Sequence, residues 1–156
     1  MHVKRGMRGL VPAALAVAIL SIQPGTISGV TAQDLGSHVQ EKRHIGAVEC
    51  ALCDLRYRRY IRGELSGSVL TGAFLFRADF SRAVVAKSDF ESANMVLATL
   101  ERADFSGSNL SKANLSRAAM LGVTLRGAVM IFTDLQDAYL EGAELTDANM
   151  TGADLR

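Results

Sequence analysis

From Leu65 to Leu155 every fifth residue is a large apolar side chain, with no slip over 19 positions. The series opens Leu65, Leu70, Leu75, Phe80 and closes Leu140, Leu145, Met150, Leu155. Two residues ahead of each stands a small one: 13 are Ala, three are Ser, and the others are Gly63, Val123 and Thr133. A period of five is neither the 3.6 of a helix nor the two of a half-buried strand. A fixed short period carrying one small and one large inward residue describes a solenoid that turns a corner every five residues. Four such sides close a square coil of about 20 residues. Small and large residues lie two apart, so within a side they point the same way, into the coil. The corner between sides is a four-residue β-turn, and the Gly, Ser, Arg and Lys at its tip suit a solvated position.

Ala103-Asp104-Phe105-Ser106-Gly107, Ala113-Asn114-Leu115-Ser116-Arg117 and Ala143-Glu144-Leu145-Thr146-Asp147 share one pattern, A-(D/N)-L-x-x, and Ala153-Asp154-Leu155 begins another copy. This pattern resembles the pentapeptide-repeat family over Cys53 to Arg156. The resemblance implies an all-β fold, the right-handed quadrilateral β-helix. About five coils at about 4.8 Å per coil would make a rod roughly 25 Å long. The domain division is a signal peptide over 1–32, a short N-terminal cap or linker over 33–52, and the β-helix over 53–156. The family resemblance implies little about function.

The segment from Met1 to Ala32 reads as an export signal. His2, Lys4, Arg5 and Arg8 make a basic start, and Leu10 to Ile22 is a 13-residue apolar stretch. Val30-Thr31-Ala32 offers small residues for cleavage before Gln33. Such a stretch is too short to cross about 30 Å of hydrocarbon, so no stable membrane anchor is expected after cleavage. The expected location is periplasmic or secreted. Between Gln33 and Glu49 the five-residue rule fails. Ser37 to Arg43 is expected to form a short helix with Ser37 as its cap, covering the first coil because solenoid ends need polar covers; a recognition arm is the alternative.

Cys50-Ala51-Leu52-Cys53 places two cysteines on the large and small registers, as first and fourth residues of a corner. Their Cα atoms would then lie under about 7 Å apart, within reach of a disulfide. Export to an oxidising compartment and an even cysteine count favour that bond. Buried inert thiols, a redox pair, and a zinc site with His38 and His44 are the alternatives. Haem attachment would require a histidine where Asp54 stands. Pentapeptide-repeat proteins similar to this one often begin with a C-x-x-C-D-L segment like Cys50 to Leu55, which implies a role in starting the solenoid.

No GxxxxGK[ST], GxGxxG, HExxH or GxSxG pattern occurs in the chain, so no cofactor, metal or catalytic activity is expected. Asp79, Asp89, Asp104 and Asp134 precede large apolar residues and read as surface groups bonding local backbone. Three Asn-x-Ser/Thr matches, at Asn109, Asn114 and Asn149, are generated by the repeat itself. Function is therefore expected on the outer surface. Residues 20 apart stack on one face, so Arg62, Arg82 and Arg102 form a column of cations, either a docking stripe for an anionic partner or a solvated face. Phe74 and Phe76 flank Leu75 and point outward, with Val96 and Leu97 one coil later, either as a candidate apolar partner site or, for Phe74, as surface under the N-terminal cap. Val129, Ile131 and Phe132 form a similar group around Met130.

From Asp54 onward there are 13 acidic and 12 basic residues, a net of −1. That balance fits neither direct nucleic-acid binding nor the strongly negative rod of a DNA mimic. The expectation is an exported scaffold or protein-binding module whose partner is another protein or an envelope component. A second copy stacked on the open C-terminal coil would make a homodimer. A topoisomerase-binding DNA mimic and a thiol- or metal-binding protein using the CxxC pair are the alternatives.

Overall fold

The structure is a computed structural model that describes residues 46–156. The export signal, the Ser37–Arg43 helix, His38 and His44 lie outside the described residues. Each turn of the chain pairs with the next in parallel, residue i with residue i+20, beginning at Glu49↔Val69 and ending at Asp134↔Asp154. Each pairing is one residue wide, because the corners on both sides keep a side short. Four faces result, named here by their mid-face residues. Face 1 carries Asp54, Phe74, Asn94, Asn114, Asp134 and Asp154; face 2 carries Arg59, Asp79, Thr99, Ala119 and Tyr139. Face 3 carries Glu64, Val84, Asp104, Thr124 and Glu144; face 4 carries Glu49, Val69, Asp89, Asn109, Val129 and Asn149. Pairing starts at Glu49, ahead of the Cys53 boundary expected from the pattern. Backbone pairing needs no particular side chain, and Val48 and Cys50 occupy the small and large registers.

The backbone hydrogen bonds explain the five-residue unit. The N–H of each large residue i donates to the carbonyl of residue i+19, as from Leu65 to Val84 at 2.8 Å. The corner residue two places later repeats that step, as from Gly67 to Ala86 at 2.9 Å. The mid-face N–H donates the other way, to the carbonyl of residue i−21, as from Val84 to Gly63 at 2.8 Å. The small residue closes the β-turn, as Ala103 N–H donates to the Leu100 carbonyl at 3.0 Å. One N–H per repeat is left over, on the residue after the large one. Where the mid-face residue is Asp or Asn, its carboxylate or amide oxygen accepts from that orphan: Asp104 from Ser106 at 2.9 Å, Asn114 from Ser116 at 2.9 Å, Asp134 from Gln136 at 3.0 Å. Ten mid-face residues, from Asp54 to Asp154, do this. The Asp and Asn preference is thus local backbone satisfaction.

Every corner turns through a left-handed residue. Among 21 of them, from Leu52 to Gly152, seven are Gly and 14 are other residues with φ between 54° and 61°. None is Val, Ile or Thr, whose branched Cβ makes positive φ most costly. Those residue types sit one place earlier instead, at Ile61, Thr71, Val96, Ile131, Thr146 and Thr151. Side chains at the left-handed position lean over the next turn. A Cβ on Gly152 would meet Phe132 Cδ1 at 2.5 Å, and one on Gly72 would meet Leu52 Cδ2 at 2.7 Å. These two corners thus use Gly for space as well as for φ.

The interior is a narrow column of large residues from all four faces, and Leu65 through Leu135 are buried without exception. Tyr60 stacks on Phe80 at 4.7 Å, Phe80 meets Phe90 and Phe105 edge-on at 6.1 Å, and Phe90 lies tilted on Phe105 at 5.3 Å. Of the last four large-register residues, Leu140, Leu145 and Met150 are only partly covered and Leu155 is exposed, since no described turn stacks on them. Four of the inward small residues do more than fill space, and one of them, Thr133, donates its hydroxyl to the Leu110 carbonyl at 2.8 Å. Ser68, Ser88 and Ser108 stack inside face 4; Ser88 Oγ accepts from Ser68 N–H at 3.0 Å, and Ser108 Oγ donates to the Val85 carbonyl at 2.8 Å.

Leu100→Asp is expected to abolish cooperative melting, because it places an unpaired charge in a dry interior; circular dichroism melting checks this. Asp104→Ala should lower stability by about 0.5–1.5 kcal/mol through the orphaned Ser106 N–H, while Asp104→Asn should stay near wild type, as read by urea denaturation.

Candidate functional site

With the interior filled by side chains, the described residues leave function to the outer faces, the corners and the first turn. The apolar side chains of face 1 and its corner into face 2 do come together. Phe74, at 48% exposure, projects from mid-face. Phe76 is half-buried on the corner, where Tyr57 meets it edge-on at 5.6 Å and the Arg77 guanidinium lies 5.5 Å from its ring centre. Val96 and Leu97 continue the strip one turn later and are also half-buried rather than fully exposed. Their corner neighbours in the adjoining turns cover part of them. Tyr57, exposed over 63% of its surface, was missed by sequence reasoning although Cys50 and Cys53 already carried the register ahead of it. Its spacing of 20 from Arg77 and 40 from Leu97 is the signal that places it in this strip.

Arg62, Arg82 and Arg102 occupy successive left-handed corners between faces 2 and 3, at φ 54–58°. All three are exposed, and none is in an ion pair among the described residues. Their φ explains the column: a flexible, unbranched side chain tolerates this corner and reaches water. The last turns are acidic by contrast, carrying Asp137, Glu141, Glu144 and Asp147. Arg117 pairs with Asp137 at 3.5 Å and Arg126 with Glu144 at 2.8 Å, both pairs exposed. Phe132, at 64% exposure, stands apart from the Tyr57–Phe76 strip, on the corner between faces 4 and 1.

The first turn holds the sulfur chemistry. Cys50 and Cys53 are joined by a disulfide across the first described corner, with Cα atoms 5.5 Å apart. Both sulfurs are thereby occupied, and no group of three metal-ligating side chains occurs among the described residues. Beside it, Asp54 accepts from Arg56 Nε at 2.7 Å and Arg56 Nη2 at 2.6 Å. The Arg56 side-chain bonds, then its backbone N–H, hold the Asp54 carboxyl down at about 2. Asp154 and Arg156 repeat the arrangement in the last turn, where Arg156, with help from Gln136, keeps the Asp154 carboxyl far below the usual carboxylate range. Tyr60 is buried in the first turn with its hydroxyl unpartnered, and burial pushes it up to about 12. Arg58 occupies the small register of the same turn and is half-exposed at its edge.

A sequence profile of Pentapeptide repeats matches in 8 copies, over residues 64–95, 93–130 and 124–156. The chain therefore belongs to the pentapeptide-repeat family, whose fold is the right-handed quadrilateral β-helix. Among solved structures it is similar to a pentapeptide repeat protein from the Arabidopsis thaliana thylakoid lumen, at 29% identity and a TM-score of 0.37, covering 58% of this chain and 63% of that one. Full-length QnrB1, a plasmid-mediated fluoroquinolone resistance protein, matches at 17% identity and a TM-score of 0.45, over 74% of this chain and 75% of that one. HetL, a protein involved in heterocyst differentiation regulation from the cyanobacterium Nostoc, matches at 19% identity and a TM-score of 0.25, over 72% and 89%. No curated protein matches the chain.

Asp54 gives a pH test. Its folded value of about 2 lies below the roughly 3.9 of an unfolded chain. Its favourable contribution is therefore complete above about pH 4 and is lost as pH falls through about 2. An NMR titration should find its carboxyl changing near that lower value, and Arg56→Ala should move the change up toward 4.

Proposed function

We propose that the protein is an exported, periplasmic or secreted, scaffold that binds another protein or an envelope component and catalyses nothing itself. The observation that carries this reading is the aromatic strip of Phe74, Phe76 and Tyr57, partly exposed on a rigid rod and flanked by Arg77. Such a group of aromatics and an arginine has the composition of a binding hot spot rather than of a solvated turn. The ladder behind it holds the strip still, so little ordering is needed on binding. Val96 and Leu97 extend the surface along the rod, and Arg62, Arg82 and Arg102 supply positive charge one corner away, suited to an acidic partner. The Cys50–Cys53 disulfide serves as a staple on the first corner. A three-residue spacing closes too short a loop to add much stability. The bond instead holds that corner shut where no turn bond from Cys53 N–H to the Cys50 carbonyl is made. The export reading rests on the basic and apolar N-terminal pattern and fits a disulfide. No helix among the described residues is long and apolar enough to cross a membrane.

Two measurements test this. The intact mass of the protein recovered from the periplasm of a Gram-negative host should correspond to a chain starting at Gln33 and two hydrogens short of the dithiol; a full-length, reduced protein retained in the cytoplasm would overturn the export reading. A photo-crosslinking residue in place of Phe74 should give a discrete adduct in the native envelope fraction that the same residue at Val84, on face 3, does not.

A further inference from the structure

Face 2 has three zones along the rod. Its first turns are mostly basic, with Arg59 at mid-face, 3.9 Å from the Asp79 carboxylate of the second turn, and Arg62 and Arg82 on the adjoining corner. Its middle is flat and small, with Thr99 and Ala119 at mid-face, Leu97 on one edge, and Leu121, at 42% exposure, on the other. Its last turn is acidic and aromatic, with Asp137 and Glu141 on the edges and Tyr139, at 68% exposure, at mid-face. A shallow depression of about 460 Å³ opens among Leu97, Arg117, Asp137 and Tyr139. At the opposite end of the same edge stands a knob that fits such a depression, the exposed ring of Tyr57, which leans toward the second turn onto Phe76.

We infer that face 2 is a self-association surface, on which two copies pack antiparallel about a two-fold axis lying in the interface beside Thr99. Such an axis exchanges the first turn with the fifth and the second with the fourth, and keeps each edge opposite its own counterpart. It brings Arg62 of one copy onto Glu141 of the other, and Arg102 onto Glu101, each contact made twice; it also sets Arg77 opposite Arg117, whose charge Asp137 offsets at 3.5 Å. It sets Arg59 against the exposed Tyr139 ring, a cation–π pairing. The Tyr57 knob arrives over the depression beside Asp137. Leu97 meets Leu97 and Thr99 meets Thr99, side chains short enough for two sheets to approach to about 10 Å. A parallel pairing, whose two-fold axis runs along the rod, would instead set Arg59 on Arg59, Arg82 on Arg77 and Glu141 on Asp137. Like charges facing each other oppose association, so the charge gradient along the rod selects the antiparallel arrangement.

The inference goes beyond the scaffold reading; it leaves Phe74 free on face 1 but covers Tyr57, Leu97 and the arginine column, so the second copy and the partner compete for that edge. A surface five turns long, about 25 Å, is small for a stable dimer, so association is expected to be micromolar and strongly weakened by salt. Sedimentation of the full exported chain at 50 mM and 500 mM salt tests it. The wild type should dimerise at low salt and dissociate at high salt. Arg62→Glu should weaken the dimer at least tenfold, and Arg62→Glu/Glu141→Arg should restore it; both positions are exposed corners, and unchanged melting confirms folding. Thr99→Cys should crosslink between copies under mild oxidation, whereas Thr124→Cys on face 3 should not. A wild type that stays monomeric at low salt, or a dimer that the charge reversal leaves intact, overturns the inference. A monomer that still gives the Phe74 adduct removes the dimer and leaves the scaffold reading standing.

Discussion

A chain that turns a corner every five residues depends on one backbone state, the left-handed residue at the third position of each turn. It redirects the chain and aims its own N–H along the rod axis, where the carbonyl of residue i+19 receives it. Two of the five N–H groups in a repeat point forward along the rod in this way, one points back, one closes the turn and one remains over. The remaining features follow from that partition. A left-handed residue without glycine costs of the order of 1–2 kcal/mol. Fourteen of the 21 corners carry that cost, and it is offset by burial of large side chains worth about 1.5–3 kcal/mol each.

The same partition separates structure from function. The two inward positions of each repeat are committed to packing, and the mid-face position is half-committed where Asp or Asn caps the orphan N–H. Only the two corner residues and the remaining mid-face residues are free to vary. This is why the residues assigned to binding, Phe74, Phe76, Tyr57 and the arginine column, all occupy those positions. It is also why their neighbours are predictable: any two residues 20 apart stand about 4.8 Å apart on the surface. A rod of this kind acts as a ruler that presents side chains at fixed spacing. Its chemistry is that of surfaces, with charge and aromatic area as its means of recognition.

The inward assignment of the small and large registers, the square coil, and the reading of the mid-face carboxylates as backbone partners were legible in the chain. The partial cover of Phe76, Val96 and Leu97 was not, because it depends on how corner side chains lean over the following turn. The stacked serines were also hidden. Ser68, Ser88 and Ser108 look like mere substitutes for Ala, yet their hydroxyls accept and donate between turns. The first turn departs from the pattern in side chains while keeping it in backbone, with Arg58 at a small register and Cys50 at a large one.

The sequence by itself determined the repeat unit and the two buried registers, since burial of every fifth side chain is a one-dimensional property that any winding of four repeats per turn preserves. It also carried the corner rule, in the absence of Val, Ile and Thr from all 21 left-handed positions, although that rule is recognised only once the φ values are known. Only the tertiary structure decided which exposed residues become neighbours: that Tyr57 meets Phe76, that Phe132 lies over Gly152, and that face 2 runs from basic to acidic around a flat middle. The physical reason is that the interior is set by what each residue is, whereas a surface is set by how far each side chain reaches and which way the corner beneath it points.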